Sequence, residues 1–226
     1  FDKYIEEVNE MVRKDFKVVT PIRIINKVST IIYLLEAVIE KVPSADLTPD
    51  ILENYFSFAV AWAFGGPMVV DKLDNFRKKF SDEFLSRFPG KYPKVGEVFD
   101  FRYDHEVDTC VPLAVPEYVP IPIGGGHGET PFSQLCVSTV ESVRLTYMMD
   151  KFARHGRYMM LVGAAGSGKS TIIREYLRSL DKDADGMMSC NISMSYFTDS
   201  YKLQSEMELP IEKRSGRMFG PPPTKK

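Results

Sequence analysis

Apolar residues in the first half of the chain recur by threes and fours, the spacing of helices that each bury one face. "FDKYIEEVNEMVRKDF" opens this helical half. Ile25, Val28, Ile32, Leu35, Ile39 and Val42 then form one stripe, which begins after Thr20-Pro21 and stops at Pro43. Thr20 reads as an N-cap with Pro21 at the first helical position. Thr48-Pro49 repeats that grammar and opens a helix through Ile51, Leu52, Tyr55, Phe56 and Trp62, ended by Gly65-Gly66-Pro67. A third helix sets Leu73, Phe76, Phe80, Phe84 and Phe88 on one face until Pro89-Gly90. Acids are interleaved with the Lys and Arg of "FRKKF" and "LSRF", so these cations read as a solvated helix face rather than a basic patch.

The pattern changes over residues 90–130, which hold many of the prolines, a glycine cluster and one strand-like alternation near Val98–Tyr103. This stretch is expected to connect two units with small β elements. Its "GGGHGE" has no Lys-Ser/Thr and no helical pattern behind it, so it is not a second phosphate loop. Asp104, His105, Glu106 and Asp108 are sequential rather than spaced by an element and read as a solvated turn. From about Pro131 a second unit begins. Ser138-x-x-Glu141 is read as a capping box, followed by a helix through Val140, Val143, Tyr147, Met148 and Phe152 to His155-Gly156. A buried strand "YMMLV", a glycine loop and a helix turning Ile172, Ile173, Tyr176, Leu177 and Leu180 inward come next. After the polar turn "DKDADG", "MMSCNISM" is a second strand candidate. "TDSYKLQSEMEL" is a helix begun by Thr198 or Asp199, and the polar, Pro-rich "PIEKRSGRMFGPPPTKK" follows.

The glycine loop carries the chemistry. Gly163-Ala164-Ala165-Gly166-Ser167-Gly168-Lys169-Ser170 fits G-x-x-x-x-G-K-[ST] at every fixed position. Glycines let successive backbone N–H groups turn inward as an anion nest, and the helix opening at Lys169 adds its positive dipole end. Lys169 is suited to the β- and γ-phosphates and the Ser170 hydroxyl to Mg²⁺. With glycine at about 7% of residues, a chance match in such a chain is on the order of one in a hundred, and the flanking strand and helix patterns lower it further. Hydrolysis needs more: an acid ending a second buried strand to hold Mg²⁺, and a group that positions water. The carboxylates after Ser170 are Glu175, Asp181, Asp183, Asp185, Asp199, Glu206, Glu208 and Glu212, and none directly follows an apolar run. These residues are expected to bind a triphosphate without cleaving it.

Composition narrows the setting. The chain has 226 residues, 44% hydrophobic and 27% charged, enough to bury a core. A net charge of −2 supplies no field that would draw nucleic acid or an acidic membrane. Three scattered cysteines follow no metal-ligand spacing and suit a reducing compartment. No apolar run reaches the roughly 20 residues of a membrane span, and the charged start lacks a secretory pattern. A first residue of Phe suggests a portion of a longer polypeptide.

"SQLCVSTVESVRLTYMMDKFARHGRYMMLVGAAGSGKSTIIREYL" resembles the start of the third AAA+ module of dynein heavy chains, where a V-P-T-x-D-T-x-R-like helix precedes the phosphate loop. "NISMSYFTDSYKLQSEMELPIEKRSGRMFGPPPTKK" is similar to the family stretch leading into Walker B. "YFSFAVAWAFGG", "DNFRKKFSDEF" and "GEVFDFRYD" look like the lid and extension that close the second module. The axonemal subclass looks closer than the cytoplasmic one. The resemblance implies an α/β P-loop NTPase (AAA+) large subdomain, present in part, preceded by an α-helical lid with a small β-containing extension. Its expected divisions are lid and extension 1–112, connector 113–130 and P-loop half 131–226. In the family a lysine just past "FGPP" opens the Walker-B strand, so a cut at Lys225-Lys226 would explain the missing acid.

The same resemblance implies that Gly163 to Thr171 hold the phosphates of ATP or ADP, with Mg²⁺ at Ser170. Cys136 and Val137 occupy the adenine side, although Cys136-Val137-Ser138 departs from the family's Leu-Val-Pro, and Cys136 reads equally well as a buried strand residue. Arg144 matches the family arginine on the preceding helix; a nucleotide contact and a structural ion pair both remain open. The implied whole is a minus-end-directed microtubule motor of cilia and flagella, in the cytoskeleton of the axoneme. Its implied partners are the neighbouring AAA+ modules and linker, microtubules, and intermediate and light chains. Within it this module would gate the motor. Two other classes stand beside it: a nucleotide-dependent structural AAA+ module without hydrolysis, and a free-standing small P-loop kinase, which would need an acceptor-binding or lid segment after the loop.

Overall fold

The helix predicted from Thr48-Pro49 is the centre of the structure, a computed structural model that describes residues 2–71, 74–120, 122–124, 131–132, 135–180 and 188–222, with Lys14 through its backbone only. Leu73, "GGGHGE" beyond its first glycine, Ser133-Gln134, "DKDADG" with Asp181, Asp183 and Asp185, and Lys225-Lys226 lie outside the described residues. The chain divides into two compact units, residues 1–172 and 173–226.

Helix α3, Pro49–Gly65, starts where Thr48 Oγ1 accepts from the Ile51 N–H and Pro49 needs no donor of its own. From Tyr55 to Gly65 every residue is buried, so its last turns have no solvent face and the other elements pack around it. Helix α1, Ile5–Asp15, brings Val8, Met11 and Val12 against this core, with Tyr4 stacked on Phe88. Helix α2, Ile24–Ile39, begins three residues later than expected, with the extended Arg23 rather than Thr20 at its N-cap position. Its buried stripe is Lys27, Ile31, Leu34, Ala37 and Val38, while Ile25 and Ile32 are exposed. The helix is apolar nearly all round, so several stripes fit its spacing, and packing selects among them. Lys27 sits over the Phe64 ring at 4.6 Å, where desolvation lowers its pKa.

Helix α4, Phe76–Arg87, opens at Asn75, whose side chain accepts from the Lys78 N–H. Phe80, Phe84 and Phe88 are buried as predicted, and Phe76 is half-buried. Lys78 and Lys79 are indeed solvated, but Arg77 is not: its side chain is 13% exposed and ion-paired. The 98–103 alternation is a 3₁₀ turn, Val98–Asp100, running into strand β1, Phe101–Asp104, which pairs antiparallel with β2, Thr109–Pro112. Residues 105–108 form the expected turn, held by Tyr103 donating to Asp108 at 2.6 Å and Lys91 pairing with it at 2.9 Å. Helix α5, Val140–Arg154, lays Met148 and Phe152 on the same core.

Helix α6, Lys169–Ser179, crosses the boundary between the units. Tyr176 is buried, Ile172, Leu177 and Leu180 are half-buried, and Ile173 is exposed, so the predicted inward face is only partly covered. In the second unit Asp199 caps α7, Ser200–Glu208, as expected. Strands β3, Glu212–Ser215, and β4, Met218–Gly220, pair as a hairpin where only a polar segment was predicted. No helix among the described residues is long and apolar enough to cross a membrane.

Gly65 shows how tight the centre is. A Cβ there would lie 2.5 Å from ring carbons of both Phe80 and Phe99. Helix propensity alone favours Ala over Gly by about 1 kcal/mol, whereas overpacking a rigid core costs about 1–3 kcal/mol or more. Gly65→Ala is therefore expected to lower the thermal midpoint, and a rise in the circular-dichroism melt would show that the rings have room. Burial also pushes the Cys110 thiol up to about 12. At pH 8 a thiol reagent should label exposed Cys190 readily and reach Cys110 only on unfolding, with mass spectrometry of timed samples as the check.

Candidate functional site

The predicted phosphate loop is formed by local geometry. Gly166 and Gly168 have φ of 76° and 84°, the left-handed region that glycine enters without strain. The Ser167 N–H donates to Ala164 O at 3.4 Å, and the Ile172 N–H donates to Gly168 O at 2.9 Å as α6 begins. Lys169 Nζ folds back over the loop, donating to Gly163 O at 2.9 Å, Ala164 O at 2.6 Å and Ser167 Oγ at 3.1 Å. These are neutral acceptors, and a phosphate oxygen is a stronger one for the same ammonium. Ala165, Ser170 and Thr171 are exposed at the mouth of the loop and the first turn of α6. Glycine torsions, a helix N-terminus and a lysine held at the loop together fit a polyphosphate.

The flanking strands differ from expectation. Residues 158–162 form no ladder; Tyr158 is 99% exposed and Met160 73%. Residues 188–194 are likewise unpaired. A buried parallel strand needs neighbours on both edges and cover on both faces, and among the described residues neither segment has a strand partner. Three of the described acids after the loop serve local roles. Glu175 pairs with Arg178 at 3.6 Å, Asp199 caps α7, and Glu208 accepts from Gln204 at 2.7 Å. No cluster of metal-ligating side chains occurs among the described residues.

Upstream, the capping box of α5 lies one residue later than predicted. Thr139 and Ser142 exchange the two cap bonds, at 3.2 and 2.8 Å, and Glu141 is freed for another use. Cys136 is half-buried and Val137 exposed, both outside any strand, and no hydrogen bond among the described residues joins them to the loop. Arg144 resolves toward the ion pair. Its side chain is 11% exposed and bonds Asp100, with Glu141 at 3.5 Å and Glu97 at 3.7 Å. Arg77 joins this lattice through Glu141 at 2.7 Å and donates to Gly66 O at 3.2 Å. Four elements thus meet at the start of α5.

A second clamp holds its other end. Gly156, at φ 62°, ends α5 with the paired bonds Gly156 N–H to Ala153 O and Arg157 N–H to Phe152 O, at 3.0 and 2.8 Å. The Arg157 guanidinium lies 3.9 Å from the centre of the Tyr33 ring and pairs with Glu36 at 3.0 Å. His155 Nε2 lies 3.1 Å from Glu40. Asp100, Glu36 and Arg157 carry no local signature, and Arg77 reads as a solvated cation, because their partners lie 44 to 121 residues away.

The chain matches two family models: the dynein heavy chain AAA lid domain over residues 1–111, and the P-loop containing dynein motor region over residues 126–226. It is 38% identical to human dynein axonemal heavy chain 9 over all of its own length. Similar matches are the ciliary dynein beta chain of Tripneustes gratilla, at 38%, and the flagellar outer-arm dynein beta chain of Chlamydomonas reinhardtii, at 35% over 98% of the chain. The chain spans 5% of the length of each of these relatives.

Removing Arg144 would leave Asp100 and Glu97 partly buried and uncompensated. Arg144→Ala is expected to cost about 2–3 kcal/mol in urea unfolding, with Arg144→Lys recovering only part of it. Unchanged stability in Arg144→Ala would show that the lattice contributes nothing to the fold.

Proposed function

The chain belongs to the dynein heavy-chain family, and on that premise we propose that it is a nucleotide-binding regulatory segment of a ciliary or flagellar motor ring. In this assignment residues 1–112 are the lid and extension of one AAA+ module, 113–130 a connector, and 131–226 the first half of the next module. The observation that carries it is the loop at Gly163–Thr171, with its two left-handed glycines and Lys169 poised over it. Gly163, Ala164, Ala165, Gly166, Ser167 and Gly168 would offer backbone N–H groups to the phosphates of ATP or ADP. Lys169 would exchange its carbonyl acceptors for phosphate oxygens, and Ser170 would ligate Mg²⁺, with Thr171 completing the first helical turn. Cys136 and Val137 would lie on the adenine side. Bound Mg²⁺ would neutralise phosphate charge; the residues of this chain bind and orient.

Binding without cleavage by these residues alone is supported by the local engagement of Glu175, Asp199 and Glu208. That observation also favours a second role, a nucleotide kept as a structural element. A free-standing kinase is disfavoured, since the whole chain aligns within much longer dynein heavy chains. The proposed context is an ATP-driven, minus-end-directed motor in the axoneme. Neighbouring AAA+ modules and the linker, microtubules, and intermediate and light chains are its proposed partners.

Lys169→Ala tests the site. It should weaken Mg-ADP binding at this loop by at least about tenfold, since a charge-assisted contact is lost, while thermal stability without nucleotide stays the same. Equal affinity in isothermal titration of the two proteins would remove the loop from nucleotide binding.

A further inference from the structure

The path from lid to phosphate loop within the first unit is short and traceable. Tyr33 and Glu36 on α2 and Glu40, its C-cap, stand at i, i+3 and i+7 along one stripe. They receive His155 and Arg157, which flank the glycine that ends α5. Beyond Arg157 only residues 158–162 intervene before Gly163, and they are unpaired and mostly exposed. At no more than about 3.5 Å per residue, the reach of that tether is limited and its origin is the Arg157 anchor. The opposite end of α5 is fixed by Glu141 and Arg144, two and five residues after Thr139 N-caps the helix. Cys136 and Val137, on the proposed adenine side, lie just before that cap. The two sides of the nucleotide site therefore hang from the two ends of one helix, and each end is bolted to the lid.

We propose that Arg157 is a positioning residue for the nucleotide: by clamping the end of α5 to Tyr33 and Glu36 of the lid, it sets the origin of the phosphate loop. This rests on the nucleotide-binding role of Gly163–Thr171. The clamp pre-pays part of the ordering that a bound nucleotide requires of residues 158–168, so loosening it weakens binding. Linkage runs in both directions: nucleotide at the loop lowers the population of the opened clamp and of opened α2 beneath it. The contact joins a partly exposed ion pair to a cation–π stack, contributions that together correspond to roughly 3–10-fold in affinity.

The test is hydrogen–deuterium exchange on the full heavy chain carrying this segment, titrated with Mg-ADP, reading peptides over 158–172 and over 30–40. In the wild type, ADP should protect both. Arg157→Ala and Glu36→Gln should each raise the ADP concentration for half-protection of 158–172 by about 3–10-fold and abolish protection of 30–40. Exchange of the α5 interior without nucleotide should not change. Arg157→Lys, which keeps the charge but not the planar stack, should fall between. If Arg157→Ala unfolds α5, the exposed, near-isosteric Glu36→Gln decides. Loop protection at the wild-type ADP concentration in Glu36→Gln would overturn the positioning role while leaving nucleotide binding intact. No protection of 158–172 in the wild type at millimolar ADP would instead overturn the binding role, and the positioning role with it.

Discussion

The close approach of two phenylalanine rings to Gly65 is the constraint on which the first unit depends. Phe80 from α4 and Phe99 from the 3₁₀ turn stack within 6.1 Å of one another over a helix that presents no side chain there. Trp62 meets Phe99 edge to face one turn earlier. Because α3 is buried throughout its last turns, every neighbouring element is fixed by how it packs on that helix. The β1–β2 hairpin and α5 take their places from this centre, with Tyr55 against Tyr103 and Phe58 against Tyr147. The hydrophobic centre positions the charges, not the reverse.

Those charges show the converse dependence. Arg144 and Arg77 are largely withdrawn from water, yet each meets carboxylates that keep some exposure. Such pairs gain from a lowered local dielectric without the full desolvation penalty of a buried ion pair. Arg77 lies 5.7 Å from the centre of the Phe99 ring and donates to the carbonyl of Gly66 at 3.2 Å, so its ion pair depends on the aromatic packing around Gly65. The contrast with Lys27 is instructive. It is buried over a ring, and among the described residues no carboxylate offsets the desolvation, so the pKa falls.

Elements whose cause is local were legible in the sequence. Thr48-Pro49 and Asp199 start their helices through side chains within three residues of the donors they cap. The Phe80, Phe84 and Phe88 stripe needed only helical spacing, and the glycine loop needed only its own torsions and the helix behind it. What depends on distant partners was not legible. On α2 an almost continuous apolar surface offered several stripes, and contact with α3 selected the one through Ile31 and Leu34. Strands at 158–162 and 187–194 were expected from their apolar runs, but apolar residues cannot supply a strand's neighbours. The described residues of both segments, which are all but Met187, are unpaired. The β3–β4 hairpin went unread because β3 is polar throughout, β4 is only three residues long with Met218 and Phe219 exposed, and a bulge between Lys213 and Ser215 breaks the alternation that marks a strand. The ion lattice around Arg144 joins positions that no window of sequence contains.

Helix α5 is matched with the motor-region segment but shares its core with the lid. Met148 and Phe152 are as much part of the lid's interior as Leu34 or Phe58. The seam between the two family segments therefore runs through the middle of a folding unit rather than around it. The lid and the following helix are thus one packed block. A lid exchanged between heavy chains would have to bring acids matching Asp100, Glu36 and Glu40 to meet the recipient's Arg144, Arg157 and His155, or arrive as an ill-fitting graft.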